Sequence, residues 1–347
     1  MIRVLIVDDS ALIRKIFTEE LSKCADIEVI GAAMDPFVAR DMIVELKPAV
    51  ITLDLEMPRM DGLSFLEKLM KHYPLPVVIV SSLTPKNSDL ALRALELGAV
   101  EVIAKPGSGF SIPDMGYLAR AVRAAAAARV SKRGPAPPSP TASMATPSPR
   151  PFLLTTHKVL AIGASTGGTK AIEEVLRGLT VTTPGIVIVQ HMPEFFTAAF
   201  AKRLNQTCPM EVREARDNDP VSPGVALVSP GNHHMLLQKS GARYFVRIKD
   251  GPPVHFQRPA VDVLFHSVAH SAGPNAVGVL LTGMGADGAK GLLAMRQNGA
   301  VTLAQDEKSC IVFGMPKEAI KLGAVQEIVG LPDMPAAILN AISAQTQ

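Results

Sequence analysis

The 347-residue sequence has no tryptophan, only three cysteines and few aromatic residues of any kind. With aromatic residues at 4% of the chain, it has few of the side chains on which single-stranded nucleic acids stack. A net charge of +3 is too small to indicate a nucleic-acid-binding surface. The cysteines are far apart and form no CxxC pair, which excludes a disulfide framework and is typical of free thiols in a reducing compartment.

Long apolar runs are also missing, although 48% of the residues are hydrophobic. No run approaches the length that a membrane-spanning helix needs. The N-terminus passes directly into a strand pattern and lacks the charged region and cleavage site of a signal peptide. We therefore expect a cytoplasmic protein with a sizeable core, without membrane insertion and without a nucleic-acid partner.

One segment, residues 131–157, differs in composition from the rest of the chain. It is rich in proline, alanine and serine, with prolines recurring from Pro135 to Pro151. Such a segment cannot bury enough apolar surface to fold, and its prolines favour extended backbone. We predict a disordered or extended linker over 131–157, between one domain at 1–130 and a second at 158–345.

Short apolar runs alternate with helical patterns in the first domain. Five βα units predict a flavodoxin-like (βα)5 domain with a parallel sheet. The five predicted strands lie near residues 4–7, 28–32, 50–53, 77–80 and 101–103.

The second domain repeats this alternation without repeating the sequence. Five strand patterns and four helical patterns predict a Rossmann-like, doubly wound α/β domain. Two alternating runs around Ser240-Gly241 add a predicted antiparallel hairpin. The five predicted strands lie near residues 159–163, 185–190, 225–228, 277–281 and 301–303.

Charged and polar residues follow four of the five predicted strands in the first domain: Asp8 and Asp9, Asp54, Ser81, and Lys105. All five therefore fall on one edge of the sheet. Clustered carboxylates favour a hard cation such as Mg²⁺, and a carboxylate can also accept a phosphoryl group. Taken singly, each residue has a simpler interpretation, as a helix N-cap, a loop residue or a solvated side chain.

Residues 1–130 resemble a receiver domain of the two-component response regulators. The resemblance rests on Asp-Asp-Ser at 8–10, Leu-Asp-Leu-Glu-Met-Pro at 53–58, Asp-Gly at 61–62, Ser81, and Lys-Pro at 105–106. It implies that Asp54 accepts phosphate from a histidine kinase, and that Ser81 and Lys105 contact the phosphoryl group. The implied Mg²⁺ ligands are Asp8, Asp9, Asp54 and the main-chain carbonyl of Glu56.

Three polar residues follow apolar runs in the second domain: Ser165, His191 and Asp287. A hydroxyl, an imidazole and a carboxylate at one sheet edge are the groups of a nucleophilic hydrolase. Ser165 lies in Gly-Ala-Ser-Thr-Gly, a G-x-S-x-G pattern that favours a nucleophile between a strand and a helix. The simpler alternatives are N-caps at Ser165 and Asp287 and a structural role for His191.

Residues 158–345 resemble the catalytic domain of the chemotaxis protein-glutamate methylesterases. The resemblance rests on segments 163–168, 190–192, 257–262 and 282–289. It implies that Ser165 is the nucleophile, His191 the general acid/base and Asp287 its orienting carboxylate. The implied reaction is hydrolysis of glutamate methyl esters on chemotaxis receptors, with deamidation of selected glutamines and without a cofactor.

The reaction also needs donors for the oxyanion, and the candidates are the main-chain N–H groups of Thr166 and Met284. The implied partners are a histidine kinase as phosphodonor and methyl-accepting chemotaxis receptors as substrate. We expect a monomer in which the unphosphorylated receiver covers the catalytic edge.

Two other functional classes compete with this interpretation. The glycine-rich turn at 163–168 could bind a dinucleotide, but that site favours an acidic residue after the second strand, where the chain has Gln190-His191. A receiver linked to a DNA-binding domain would need a basic recognition helix, and no such pattern is evident.

Overall fold

The structure is a computed structural model that describes residues 1–57, 60–82, 84–105, 116–128 and 158–344. Within these residues it contains two parallel β-sheets, each flanked by helices, and one antiparallel hairpin. The predicted α/β class is therefore confirmed. The predicted linker at 131–157 lies outside the described residues, as do Pro58 and Pro106 of the receiver motifs.

The first sheet has five strands in the order β2-β1-β3-β4-β5, all parallel. The strands are β1 (Ile2–Val7), β2 (Ile27–Ala33), β3 (Val50–Asp54), β4 (Val77–Ser81) and β5 (Glu101–Ala104). The helices are α1 (Ala11–Ser22), α2 (Pro36–Leu46), α3 (Gly62–His72), α4 (Pro85–Leu97) and α5 (Gly116–Ala127). Every residue of β3 and β4 is buried, because helices cover both faces of the central strands.

Side chains other than those of the proposed site residues cap helices α1 to α4. Ser10 accepts the N–H of Ile13 at the start of α1, and Thr84 caps α4. The capping alternatives for Asp8, Asp9 and Ser81 are therefore wrong. Asp8 instead accepts the N–H of Ser10 with Oδ1 and contacts Lys105 with Oδ2.

The second sheet has seven parallel strands in the order β14-β13-β12-β6-β7-β9-β8. They are β6 (Val159–Ala164), β7 (Gly185–Gln190), β8 (Glu211–Glu214), β9 (Val225–Val228), β12 (Ala276–Leu280), β13 (Val301–Gln305) and β14 (Glu327–Val329). The sequence predicted five of them and missed both edge strands. β8 has the polar sequence Glu-Val-Arg-Glu and β14 has only three residues, so neither forms an apolar run.

Six helices accompany this sheet, of which the last two were not predicted. They are α6 (Gly168–Arg177), α7 (Phe196–Thr207), α8 (Val261–Ser271), α9 (Ala289–Gln297), α10 (Met315–Lys321) and α11 (Met334–Ala344). The predicted hairpin is formed by β10 (His234–Ser240) and β11 (Arg243–Lys249), and it packs against α8. No described helix combines the length and the apolar character that crossing a bilayer would require.

Helix α4 of the first domain packs against α7 of the second. One cluster of buried apolar side chains includes Leu92 and Leu95 of α4 as well as Phe196 and Phe200 of α7. An ion pair between Glu96 and Arg203 joins the same two helices at their surface. The two domains thus share an apolar contact next to the segment that follows β7.

Candidate active site and phosphorylation site

Ser165 and His191 follow neighbouring strands at equivalent positions. Ala164 at the end of β6 is in register with Gln190 at the end of β7, so Ser165 and His191 are the next residue on each strand. Adjacent strands lie about 4.8 Å apart, which places the two residues side by side. The N–H of Ser165 donates to Thr282 O at 3.0 Å, and the N–H of His191 donates to Ala164 O at 3.1 Å.

The turn after Ser165 depends on glycine. Gly167 is the N-cap of α6, with φ +80° and no side-chain cap, so the capping alternative for Ser165 is wrong. A β-carbon on Gly283 would lie 2.7 Å from Cβ of Ser165 and 2.3 Å from Sδ of Met315. Backbone from the loop after β12 thus packs directly against the serine, which only a residue without a side chain permits.

His191 and Asp287 form a buried hydrogen-bonded pair, with His191 Nε2 2.7 Å from Asp287 Oδ2. The same carboxylate accepts the N–H of Val261 at 2.7 Å and that of Asp262 at 2.9 Å. These are the first two residues of α8, whose own N-cap, Ala260, offers no side-chain acceptor. Asp287 therefore caps α8, a remote helix.

The capping alternative proposed for Asp287 concerned the helix that follows it, and that alternative is wrong. Gly288 occupies the N-cap of α9. No sequence pattern indicates that the carboxylate instead caps the start of α8, because the two segments are 25 residues apart in the chain. Only the fold brings them together.

The surroundings of Asp287 favour its ionised form. Burial alone would raise the pKa of this carboxyl, but the hydrogen bond and charge of His191, with two main-chain N–H donors, hold the pKa below its ordinary value of 3.8. An ionised carboxylate only accepts hydrogen bonds, so Nε2 of His191 carries the proton of this bond. The other ring nitrogen, Nδ1, is buried and has no hydrogen-bond partner among the described residues.

The main-chain N–H groups of Thr166 and Met284 belong to the loops after β6 and β12. Within the described part of the chain, no acceptor is found for either N–H group. Thr282 joins the two loops, since its hydroxyl donates to Thr166 O at 3.0 Å and accepts the N–H of Val312 at 3.0 Å. Two N–H donors therefore remain available on loops that flank Ser165.

Asp54 and Asp8 share the Nζ of Lys105 in the first domain. Nζ lies 2.7 Å from Asp54 Oδ2 and 3.1 Å from Asp8 Oδ2. Burial raises the pKa of Asp54 to about 6 and also raises that of Asp8, although Lys105 opposes both shifts. Burial would lower the pKa of Lys105, but its hydrogen bond to Asp54 and the two carboxylate charges raise it.

Carboxylate oxygens of Asp8, Asp9 and Asp54 lie within 4.8 Å of one another. Such a group of hard oxygen ligands fits Mg²⁺, and a cation there would offset the cost of burying the charges. The nearby hydroxyl of Ser81 is buried and has no hydrogen-bond partner among the described residues. All five predicted strand-end residues of this domain thus lie at one edge of the sheet.

Glu56, two residues after Asp54, has a side-chain role that the sequence did not indicate. Its Oε2 accepts a hydrogen bond from Nδ2 of Asn87 at 2.9 Å, and the hydroxyl of Ser82 lies 3.4 Å away. Because Asn87 belongs to α4, the loop after Asp54 is tied to the helix that packs on the second domain.

Glu101 was also missed as a functional residue, although it opens a predicted strand. Its Oε2 accepts a hydrogen bond from the hydroxyl of Thr166 at 2.8 Å, and its Oε1 accepts one from Tyr117 at 3.2 Å. Arg120 on the same helix as Tyr117 lies 4.8 Å from the ring centre of Phe256 in the second domain. The first domain therefore contacts the residue that directly follows Ser165.

Comparisons with known proteins agree with both halves of this arrangement. The family model described as "CheB methylesterase" matches residues 160–338, and "Response regulator receiver domain" matches residues 4–113. A protein-glutamate methylesterase/protein-glutamine glutaminase 2 of Syntrophus aciditrophicus is 61% identical over 346 residues, covering 98% of this chain and 99% of that protein. The Salmonella typhimurium protein-glutamate methylesterase/protein-glutamine glutaminase is 54% identical, covering 99% of this chain and 97% of that one.

A solved structure supports the fold of the second domain independently. The crystal structure of the Thermotoga maritima CheB methylesterase catalytic domain is 34% identical, with a TM-score of 0.52. The similarity covers 53% of this chain and 97% of that one. From these relatives and from the paired receiver and catalytic folds, the chain belongs to the receiver-linked CheB methylesterases, a family of hydrolases.

Proposed function

We propose that this protein hydrolyses γ-glutamyl methyl esters on chemotaxis receptors, with Ser165 as nucleophile, His191 as general acid/base and Asp287 as the orienting carboxylate. The observation that carries the proposal is the buried His191–Asp287 pair at the end of the strand next to Ser165. Relatives whose sequences match along nearly the whole chain are named methylesterase/glutaminase, which supports the same substrates and adds deamidation of glutamine side chains.

The proton route follows from the tautomer of His191. Because Nε2 bonds to the ionised Asp287, Nδ1 holds the free lone pair and takes the proton from the hydroxyl of Ser165. The serine oxygen attacks the ester carbonyl, and the tetrahedral intermediate collapses as Nδ1 returns the proton to the departing methanol. Water, deprotonated at Nδ1, then hydrolyses the glutamyl-enzyme and restores Ser165.

The N–H groups of Thr166 and Met284 are the proposed donors to the oxyanion. Both lie on loops that contact Ser165, and neither has another acceptor within the described residues. Fixed donors of this kind stabilise the charge that develops in the transition state, and losing one typically costs about a hundredfold to a thousandfold in rate. For glutamine side chains the same steps release ammonia in place of methanol.

Asp54 is the proposed phosphorylation site, with a histidine kinase as phosphodonor. The carboxylates of Asp8, Asp9 and Asp54 and the carbonyl of Glu56 would hold Mg²⁺, which neutralises phosphoryl oxygens when it is bound. Ser81 and Lys105 are the proposed contacts to the phosphoryl group. The Ser81 hydroxyl, which has no hydrogen-bond partner in the described part of the chain, and the Lys105 ammonium beside Asp54 support this assignment. We place the protein in the cytoplasm, as a monomer.

Regulation would act through the contact between the domains. In the structure, the receiver places Glu101 against Thr166 and α4 against α7, close to the residues that follow β6 and β7. A receptor helix needs access to that edge, so the receiver would compete with the substrate. Phosphorylation would shift the receiver away from this contact, and a change of a few kcal/mol suffices to alter activity many-fold.

The proposal is tested by methanol release from methylated receptor membranes. We expect Ser165→Ala to abolish release while its thermal unfolding stays close to that of the wild-type protein. The control is Ser240→Ala, since Ser240 is exposed at the end of β10 and distant in sequence from every proposed catalytic residue. Methanol release by Ser165→Ala at the wild-type rate would refute the proposed nucleophile.

A further inference from the structure

Gln190 is the last residue of β7 and lies beneath the two residues proposed to exchange the proton. Its side chain is buried, and Nε2 donates to Ser165 O at 2.9 Å and to His191 O at 3.1 Å. One side-chain amide thus bonds to the main chain of both the nucleophile and the base. Since both acceptors are carbonyls, they determine that the nitrogen of the amide, and not its oxygen, faces them.

The amide of Gln190 occupies space that is open only because residue 168 is glycine, and its oxygen has no hydrogen bond within the described residues. A β-carbon on Gly168 would lie 2.1 Å from Gln190 Oε1, so a side chain at position 168 would displace the amide. Oε1 itself is buried without a hydrogen-bond partner among the described residues. Unsatisfied buried acceptors are rare in folded proteins, and each one calls for an explanation.

The two residues have few other direct links. The N–H of His191 bonds to Ala164 O, and the N–H of Ser165 bonds to Thr282 O in a different strand connection. Neither bond fixes the carbonyl of Ser165 relative to that of His191, and the N–H of Gly168, which donates to Ser165 O at 2.7 Å, ties that carbonyl only to the start of α6. A single nitrogen with two hydrogens can fix the two carbonyls relative to each other. A side-chain amide is the uncharged group that supplies such a nitrogen.

We propose that Gln190 is a positioning residue, which sets the separation of the Ser165 hydroxyl from Nδ1 of His191 by tying their carbonyls together. The inference rests on the proposed proton route between these residues and adds a residue to it. A displacement of about 1 Å between reacting groups can lower the rate on the order of a hundredfold. Gln190 itself touches neither substrate nor the transferred proton.

The test replaces Gln190 in the full chain with methionine, which fills similar space without a donor. We expect Gln190→Met to lower kcat for methylated receptor membranes by about tenfold to a hundredfold with KM unchanged. The rate at which a sulfonyl fluoride modifies Ser165 should fall by a similar factor, because both reactions need the same deprotonation. The matched control is Gln326→Met, which removes a side-chain bond to Thr302 N at the far edge of the same sheet.

A second variant separates positioning from a purely structural effect. Gln190→Glu keeps the shape of the side chain, but its protonated form has one donor hydrogen and can bond to only one of the two carbonyls. Modification of Ser165 in folded Gln190→Glu should therefore stay below the wild-type rate at every pH. The folded fraction of each variant is measured at the same pH by thermal unfolding, and a loss that reflects misfolding would follow that fraction instead.

Wild-type kcat and modification rates in folded Gln190→Met would overturn the inference, as would a wild-type modification rate in folded Gln190→Glu. Failure of the proposed function is distinguishable from this result. If the wild-type protein released no methanol while Gln190 still controlled the modification of Ser165, the substrate assignment would fail and the positioning role would stand.

Discussion

Asp287 accepts a hydrogen bond from Nε2 of His191 at 2.7 Å and, with the same carboxylate, the N–H groups that begin α8. The orientation of the imidazole is therefore coupled to the position of a whole helix. A carboxylate with a single partner could rotate, but one fixed by three donors from two directions cannot. This arrangement gives the proposed triad a rigid base.

Asp287→Asn should lower methanol release far more than it lowers stability. Val261 and Asp262 donate to different oxygens of Asp287, so the one amide oxygen of asparagine can keep only one of these bonds. We expect a stability loss below that of Asp287→Ala, which uncaps α8 and costs about 1 kcal/mol, whereas methanol release should fall by about 10⁴-fold because the tautomer of His191 is no longer fixed. The control is Asp35→Asn, which alters a carboxylate that accepts two N–H groups at the start of α2 in the other domain.

Gly283→Ala should displace Ser165, because the loop after β12 packs directly against the β-carbon of the serine. The new methyl group would lie 2.7 Å from Cβ of Ser165, and relieving this overlap costs about 1–3 kcal/mol and moves the serine. We expect lower thermal stability together with a loss of methanol release per folded molecule. Gly330→Ala is the comparison, since the nearest atom to its β-carbon would be 3.8 Å away. Full activity of Gly283→Ala would show that the contact tolerates a side chain.

Asp54→Ala should abolish regulation without abolishing hydrolysis. The residue lies in the receiver, and its removal leaves the loops around Ser165 unchanged. We therefore expect basal methanol release at the wild-type level and no stimulation by acetyl phosphate. Stimulation of this variant to the wild-type level would mean that the phosphoryl group is accepted elsewhere.

The pKa of Asp54, raised by burial to about 6, should make the stability of the receiver depend on pH. Between the ordinary pKa of 3.8 and about 6, the folded chain binds more protons than the unfolded chain, so this residue lowers stability as pH rises through that window. Asp54→Asn should then be more stable than the wild-type protein at pH 7.5, on the order of 2 kcal/mol, and equally stable near pH 3.5.

Denaturant unfolding of the wild-type protein and Asp54→Asn at both pH values measures the difference in their free energies of unfolding. Effects of acid on the other titratable groups are shared by both proteins and cancel in this difference. Millimolar Mg²⁺ should stabilise the wild-type protein more than Asp54→Asn, because the cation offsets the repulsion between Asp54 and Asp8. A stability difference that does not vary with pH would contradict the assignment of the raised pKa to Asp54.

Glu101→Ala should weaken the contact between the domains. It removes the acceptor of the Thr166 hydroxyl and of Tyr117, so we expect basal methanol release to rise several-fold and stimulation by acetyl phosphate to shrink. Glu28→Ala provides a matched control, because this carboxylate is exposed on β2 at the opposite edge of the receiver sheet. Unchanged basal activity in Glu101→Ala would argue against steric competition by the receiver.

The two α/β units, and the strand ends at which the polar residues lie, could be predicted from the amino-acid sequence. Buried parallel strands are continuous apolar runs, and their ends are visible where the first charged or small residue appears, as at Asp54 and Ser165. The motifs around these ends also carried the family resemblance, and the family models match both halves of the chain. The edge strands β8 and β14 were not predicted, because strands with solvent on one side can be polar or short.

The contacts between the functional side chains depend on how the strands, helices and loops pack in three dimensions. Asp287 reaches across to α8, Gln190 turns back beneath Ser165, and Glu101 of one domain contacts Thr166 of the other. No periodicity or residue spacing in the sequence predicts these contacts, because each depends on how separate elements pack against one another. The proposed triad, its support and its regulation are therefore properties of the packing, whereas the positions of the groups along the chain are properties of the strands.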